Sequence, residues 1–164
     1  MISLDISSRI LRMDDFTCRA AIGKHGATAD KVEGDGKTPI GQFHLGPIYY
    51  RADKIQLPPN ITGAIKIEPH FGWCDDPAHP DYNKFISLPH PARHENLWRD
   101  DDKYDIVVVM DYNMKNTIAG RGSAIFLHIA KPDYSGTEGC VAISLSDMMR
   151  VLPHITDGVT IDIA

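Results

Sequence analysis

The sequence has few of the features that define several large protein classes. Its three cysteines form no C-x-x-C pair, which argues against a disulfide framework. No stretch approaches the roughly 20 apolar residues that span a bilayer, and the N-terminus lacks the basic start and apolar run of a secretory signal. We therefore expect no membrane association and a cytoplasmic location, or a periplasmic one if the natural chain is longer at its N-terminus.

Basic residues are too few and too scattered to form a nucleic-acid surface. Lys and Arg number 17 against 22 Asp and Glu, for a formal net charge of −5. Because phosphate contacts need clustered basic side chains, we expect no nucleic-acid partner. Apolar residues make up 43% and charged residues 24% of the 164 positions, which is typical of one globular domain spanning residues 1–164.

Apolar patterning predicts a mainly β fold. Strands are expected at residues 2–6, 10–11, 17–22, 42–51, 64–67, 85–88, 104–110, 123–130 and 159–163. The runs at 104–110 and 123–130 are continuously apolar, which indicates burial on both faces. One helix is expected at 144–152, with Ser144 as N-cap and Asp147 three residues later. The sum is a single-domain β-sandwich or open barrel with one or two short helices.

The segment 52–103 is rich in Pro, His, Asp and Trp, and proline density discourages long helices. We expect a long irregular insertion there. A loop of this length in a compact domain is often functional, and the alternative is a surface cover over one sheet face.

The residues with the clearest chemical setting are Cys140 and His128. His128 ends an apolar run, and Cys140 follows twelve residues later, directly after Gly139. A neighbouring imidazole can activate a thiol, glycine allows a tight turn, and backbone N–H groups beside the cysteine could stabilise an oxyanion. The alternative is a buried structural cysteine and a core histidine, and for an isolated pair that alternative is favoured.

The stretch around Cys140 resembles the signature of the L,D-transpeptidase catalytic domain (YkuD-type) family, in which Ser/Thr-His-Gly-Cys is followed by a hydrophobic residue and Arg or Asn. Thr137, Gly139, Cys140 and Val141 match that signature, and residues 35–43 resemble the family's Thr-Pro-x-Gly-x-Phe element. The resemblance covers roughly residue 17 to the C-terminus. Glu138 replaces the signature histidine, Ala142 replaces the Arg or Asn, and the loop between His128 and Cys140 is short.

The resemblance implies a mainly β catalytic domain that acts on a peptidoglycan stem peptide or soluble muropeptide without a cofactor. Cys140 would be the nucleophile and His128 the general base, oriented by the Ile129 carbonyl. Hydrolysis of the thioester would make the protein an L,D-carboxypeptidase in muropeptide recycling. The alternative is an L,D-transpeptidase that forms 3-3 cross-links or exchanges D-amino acids.

Substrate contacts are expected from residues near this signature or in the insertion: Arg121, Thr137, Glu138, Trp73 and Trp98. Arginine is the natural bidentate partner of a peptide carboxylate, and the alternative for Arg121 is an exposed turn residue. The tryptophans could form the walls of a groove, and the alternative for them is core or lid packing.

Two rival classes remain open. Residues His70, Cys74, His79, His90 and His94 include pairs at spacings that suit zinc. The altered signature also allows an inactive wall-peptide-binding module. Gly36-Lys37-Thr38 is no phosphate-binding loop, because Lys31 occupies the position of the required upstream glycine.

Overall fold

A nine-stranded sheet forms the body of the protein. The computed structural model describes residues 1–164. The strands are β1 (Ile2–Asp5), β2 (Ile10–Met13), β3 (Phe16–Arg19), β4 (Ala27–Thr28), β5 (Thr38–Pro39), β6 (Gly41–Tyr50), β7 (Ile65–Lys66), β8 (Phe71–Cys74), β9 (Phe85–Ser87), β10 (His94–Asn96), β11 (Ile106–Met110), β12 (Phe126–Ile129), β13 (Val141–Ile143) and β14 (Thr160–Ile163). The predicted mainly β architecture is confirmed.

The large sheet nearly closes on itself. Its strand order is β13-β12-β11-β6-β14-β1-β2-β3, with β7 paired beside β6. Just beyond β3, Ala21 exchanges two backbone hydrogen bonds with Ala142 in β13, at 2.7 and 2.9 Å. The first and last strands of the order are therefore connected, and the fold is close to a barrel, in which few strand edges stay open.

Two apolar clusters occupy opposite faces of β11 and β12. Leu127, Ile129 and Val108 belong to the larger cluster of 22 buried residues, whereas Phe126 and Val107 belong to a second cluster of ten. Alternate residues of a strand point to opposite faces, so both strands are covered on both sides. The burial predicted for these continuous apolar runs is confirmed.

One short α-helix, α1 (Leu145–Val151), follows β13 and continues into a 3₁₀ turn (Leu152–His154). Ser144 Oγ accepts the Asp147 N–H at 3.1 Å, which is the predicted N-cap. At seven residues, α1 is too short to cross a bilayer, and no other helix is longer.

The insertion contains more regular structure than expected. Strands β10, β8 and β9 form a separate three-stranded antiparallel sheet within it. β9 confirms the strand expected at 85–88, whereas β8 has only four residues and β10 is a wholly polar strand of three, so period-two patterning gave little signal for those two. This small sheet covers the second apolar cluster: the Trp73 ring packs edge-on against Phe126, with ring centroids 5.2 Å apart.

Candidate active site

Strand register brings the predicted pair together. In the parallel pairing of β12 and β13, His128 lies opposite Ala142, and Cys140 lies just before β13, level with Phe126. Paired residues share a face, and so do residues two apart along a strand. His128 and Cys140 are therefore diagonal neighbours on the face that carries the second apolar cluster.

The Cys140 thiol is buried and hydrogen-bonded to the backbone. The residue is 7% exposed, its Sγ donates to the Ala124 carbonyl at 3.2 Å, and it accepts the Phe126 N–H at 3.4 Å. Burial, and then the nearby Glu95 carboxylate, raise the pKa of the thiol to about 12. In the free protein, Cys140 is therefore a neutral thiol at physiological pH and needs a base before it can attack.

His128 has the geometry of such a base. It is 3% exposed, and its Nδ1 lies 3.0 Å from the Ile129 carbonyl oxygen, an acceptor that requires Nδ1 to carry the proton. Burial, and then the nearby Lys103 ammonium, lower the pKa of His128 to about 3. The ring is therefore neutral, and its Nε2 is a buried lone pair with no hydrogen-bond partner.

The turn before Cys140 is built by Thr137 and Gly139. Thr137 Oγ1 donates to the Cys140 carbonyl at 2.6 Å and accepts the Gly139 N–H at 3.1 Å. Gly139 has φ +137°, and a Cβ there would lie 2.9 Å from the Lys37 carbonyl oxygen. Glycine is required because the turn lies directly against residues 35–43, the second element of the family signature.

Lys31 holds that second element in place. This lysine is 3% exposed, and its Nζ lies 2.8 Å from both the Asp35 carboxylate and the Lys37 carbonyl. It passes between two glycines: a Cβ on Gly122 would lie 2.8 Å from Lys31 Cε, and one on Gly139 would lie 3.2 Å from its Nζ. A buried ion pair thus fixes the loop beside the cysteine turn.

Two polar cavities adjoin the pair. The cavity beside His128 has a volume of about 180 Å³, and its lining includes Arg99, Lys103, Lys131 and Ala142. The cavity beside Cys140 has a volume of about 240 Å³ and is lined by four carboxylate side chains, Glu33, Asp75, Glu95 and Glu138, among others. Lys103 and Glu138 line both cavities and therefore lie where the two meet.

The candidate substrate contacts near the signature have different positions. Glu138 lines both cavities, and its side chain, 67% exposed, pairs with Lys24 at 2.8 Å. Thr137 lines the cavity beside His128, although its hydroxyl is engaged in the turn. Arg121 is half exposed on a turn, 3.8 Å from Asp30, and lines neither cavity.

The two tryptophans were candidates for groove walls, but they line neither of these two cavities. Trp73 is 3% exposed, and its indole N–H donates to Asn83 at 3.0 Å. Trp98 is covered by the guanidinium of Arg51, 3.5 Å from the ring centroid. Each ring is engaged in packing, and neither one lines the cavity beside His128 or the cavity beside Cys140; Trp98 lines a separate cavity with Arg99 and Asp101.

Residue patterns alone did not single out three residues that line the cavities. The Tyr104 hydroxyl donates a short hydrogen bond to Glu95, whose own pKa is raised by burial. Lys103 accepts the Ile129 N–H through its carbonyl oxygen at 3.1 Å. The antiparallel pairing of β11 with β12 could have located Lys103 and Tyr104, because it sets the start of β11 beside the end of β12. Glu95 comes from the insertion and had no such signal.

Only part of the suggested zinc cluster converges. The potential ligand atoms of His79, Asp81 and His90 lie within 4.8 Å of one another. The remaining three residues are engaged elsewhere: Cys74 in an apolar cluster, His70 against Phe71, and His94 with the Ala92 carbonyl.

The tautomers of the two converging histidines favour a hydrogen-bonded cluster. Nδ1 of His79 accepts the Asp81 N–H at 3.0 Å, and Nδ1 of His90 accepts the Ala92 N–H at 3.1 Å. Each neutral ring then carries its proton on Nε2, and His90 Nε2 donates that proton to the Asp81 carboxylate at 3.0 Å. A metal needs the lone pairs that these bonds already use.

Comparison with known proteins gives the family. The family model described as the L,D-transpeptidase catalytic domain (YkuD) matches residues 3–163, so this chain belongs to that family. Its members are peptidoglycan enzymes, typically cysteine-dependent L,D-transpeptidases. No curated protein matches the sequence.

Solved structures support the fold. Bd1075 from Bdellovibrio bacteriovorus is 18% identical with a TM-score of 0.52, over 100% of this chain and 47% of that one. The helical cell shape determining protein Pgp2 from Campylobacter jejuni is also 18% identical, with a TM-score of 0.54, over 99% of this chain and 46% of that one. This chain spans about half the length of these proteins.

Proposed function

We propose that this protein is a cysteine L,D-carboxypeptidase that removes the terminal D-alanine from peptidoglycan stem tetrapeptides. Membership of the family supports the substrate class. One observation supports the cysteine-based mechanism: the lone pair of His128 Nε2 is free, and His128 lies on the same sheet face as the Cys140 thiol. A general base and a nucleophile on one face of the sheet are the minimum machinery for acyl transfer to a thiol.

The acylation step begins from the neutral pair. Nε2 of His128 takes the Sγ proton as Cys140 attacks the carbonyl that joins the third stem residue to D-alanine. The Cys140 N–H donates to no acceptor in the structure, whereas the Gly139 N–H is bonded to Thr137, so the Cys140 N–H is the available donor for the oxyanion. Collapse of the tetrahedral intermediate breaks the C–N bond, and His128 returns the proton to the departing D-alanine amine.

Deacylation follows the same steps as acylation, with water as the nucleophile. Water attacks the thioester carbonyl, His128 Nε2 takes one water proton, and the C–S bond breaks to release the tripeptide acid. That proton returns to Sγ and restores the neutral thiol. The Ile129 carbonyl keeps Nδ1 protonated throughout, so the same nitrogen of His128 accepts and delivers the proton in both halves.

The size and polarity of the cavity beside His128 favour a small leaving group and water. At about 180 Å³, this cavity is smaller than the roughly 300–1,000 Å³ of most ligand pockets. Arg99 in its lining is paired with Asp101, whereas Lys103 and Lys131 form no ion pair and suit the free carboxylate of D-alanine. A second stem peptide as acceptor would need considerably more room.

Transpeptidation remains the second candidate, and the cavity beside Cys140 favours it. Four carboxylate side chains line that cavity, and they would attract the ammonium group of an amine acceptor. Adding an excess of a D-amino acid to the reaction distinguishes the two: transpeptidation produces an exchanged tetrapeptide, and hydrolysis produces the tripeptide alone.

Mass spectrometry of reaction products tests the proposal. Wild-type protein incubated with disaccharide tetrapeptide should release one alanine, and Cys140→Ala should release none. Cys18→Ala is the matched control, because Cys18 is also a buried free thiol but belongs to the larger apolar cluster. Cross-linked dimer without tripeptide would contradict hydrolysis. A Cys140→Ala protein that still binds muropeptide, alongside an inactive wild type, would favour a wall-peptide-binding module.

The biological role completes the proposal. A carboxypeptidase that acts on recovered muropeptides in the cytoplasm would trim tetrapeptides before their reuse. Fractionation of the producing cells tests this location: the protein should be found with cytoplasmic markers, and recovery with periplasmic markers would contradict it.

A further inference from the structure

Lys103 is held at the junction of the two cavities. Its carbonyl oxygen accepts the Ile129 N–H at 3.1 Å, which ties it to the end of the strand that carries His128. Its ammonium lies 5.0 Å from the centroid of the Tyr104 ring, and no carboxylate oxygen lies within the 4.0 Å that defines an ion pair. Both cavities include Lys103 in their lining.

The other cations around the cavities are already neutralised or exposed. Arg99 forms a bidentate pair with Asp101 at 2.8 and 2.7 Å, and Arg93 pairs with Asp75. Lys131 is an exposed residue at the rim of the smaller cavity. Lys103 therefore supplies a half-buried positive charge that no carboxylate neutralises, and both His128 and Cys140 respond to it.

The position opposite His128 offers no charge of its own. Ala142 is the register partner of His128, and its methyl group lines the cavity that receives the leaving group. A negatively charged group beside His128 must therefore pair with a cation that does not belong to β13. Lys103 is next to His128, because the Lys103 carbonyl oxygen accepts the N–H of Ile129.

We propose that Lys103 binds the free C-terminal carboxylate of the stem peptide and so restricts cleavage to the last residue. This inference rests on the proposed function. Lys103 would act on substrate selection, because it contacts the carboxylate and exchanges no proton with the reacting atoms. Glu138, Glu95 and Asp101 line the same two cavities and would repel a carboxylate, so binding it requires the half-buried, unpaired ammonium of Lys103.

The experiment compares a tetrapeptide that ends in a free acid with the same tetrapeptide ending in an amide. For wild type, kcat/KM should be about 10- to 100-fold higher for the acid, the range expected for one charge-assisted contact. Lys103→Met should raise KM for the acid and bring the acid-to-amide ratio close to one, while Lys103→Arg should restore most of the preference. Lys115→Met, which removes an exposed lysine outside both cavities, should behave as wild type.

Two outcomes would overturn the role of Lys103 in carboxylate binding. The first is a Lys103→Met protein that keeps the wild-type acid-to-amide ratio. If Lys103→Met fails to fold, the wild-type ratio decides alone, because equal cleavage of acid and amide also excludes carboxylate recognition. Wild type that cleaves neither peptide would be a failure of the proposed function itself.

Discussion

Nδ1 of His128 lies 3.0 Å from the carbonyl oxygen of Ile129, the next residue along the chain. This one hydrogen bond fixes the tautomer, because a carbonyl oxygen only accepts. It leaves Nε2 as a buried lone pair without a partner, which costs the fold free energy and keeps that atom free for the proposed role as general base. In the proposed mechanism, the site trades stability for function at this atom.

That trade predicts the behaviour of His128→Leu. The substitution should abolish turnover, since the general base is lost, while the unfolding free energy stays equal to wild type or rises by about 1 kcal/mol. Urea denaturation and the tetrapeptide assay measure the two effects. His154→Leu, at an exposed histidine, should leave activity intact. A His128→Leu protein destabilised by several kcal/mol would show that the ring is structural.

The same histidine makes stability depend on pH. Burial lowers the pKa of His128 in the folded protein to about 3, below its ordinary value of 6.5, so the unfolded chain binds more protons between these values. Its contribution to stability is fully present above pH 6.5 and is lost as pH falls towards 3, by at most about 1.4 kcal/mol per pH unit. Because leucine does not titrate, the stability of His128→Leu relative to wild type should increase as pH falls over this window. A difference independent of pH would contradict the neutral buried ring.

Alkylation should report the charge environment of Cys140. Burial and then Glu95 raise the pKa of this thiol to about 12, so wild type should react slowly with iodoacetamide at neutral pH. Glu95→Gln removes the negative charge, lowers the thiol pKa and should speed modification of Cys140. Mass spectrometry in a Cys18→Ala background measures the rate. An unchanged or slower rate in Glu95→Gln would show that Glu95 does not act on the thiol.

Gly139 should be far less tolerant of substitution than a glycine in open space. At Gly139, an added Cβ meets the Lys37 carbonyl oxygen at 2.9 Å with φ +137°, whereas at Gly158 nothing lies within 4 Å and φ is +79°. Gly158→Ala should cost only the backbone strain of about 1–2 kcal/mol. Gly139→Ala should cost clearly more and eliminate activity. Equal losses of unfolding free energy for the two variants would contradict the tight packing of the turn.

The sequence predicted those parts of the molecule whose signals are local. The strands around Val108 and Leu127 were predicted from continuous apolar runs, and Ser144 followed from the spacing of a helix cap. Cys140 and His128 were proposed as the catalytic pair from the resemblance to the family signature. Each depends on contacts between neighbours in sequence or on a short pattern.

Other features depend on contacts that span long stretches of chain. Burial of Lys31 depends on Gly122 and Gly139, about a hundred residues away, so no pattern near Lys31 in the sequence indicates it. Glu95 belongs to the insertion, and its place beside Cys140 follows from the packing of the small sheet. Trp73 was a candidate for a groove wall, with core packing as the alternative; its ring packs against Phe126, and its N–H donates to Asn83.

The most direct test of the account is intact-protein mass spectrometry during turnover of a disaccharide tetrapeptide. The account predicts a transient mass increase equal to the disaccharide tripeptide acyl group, located on the peptide that contains Cys140 and removed by hydroxylamine. Cys140→Ala should show no adduct, and Cys18→Ala should show the wild-type adduct. Alanine released by a wild-type protein that never carries the adduct, or that carries it on another residue, would contradict Cys140 as the nucleophile.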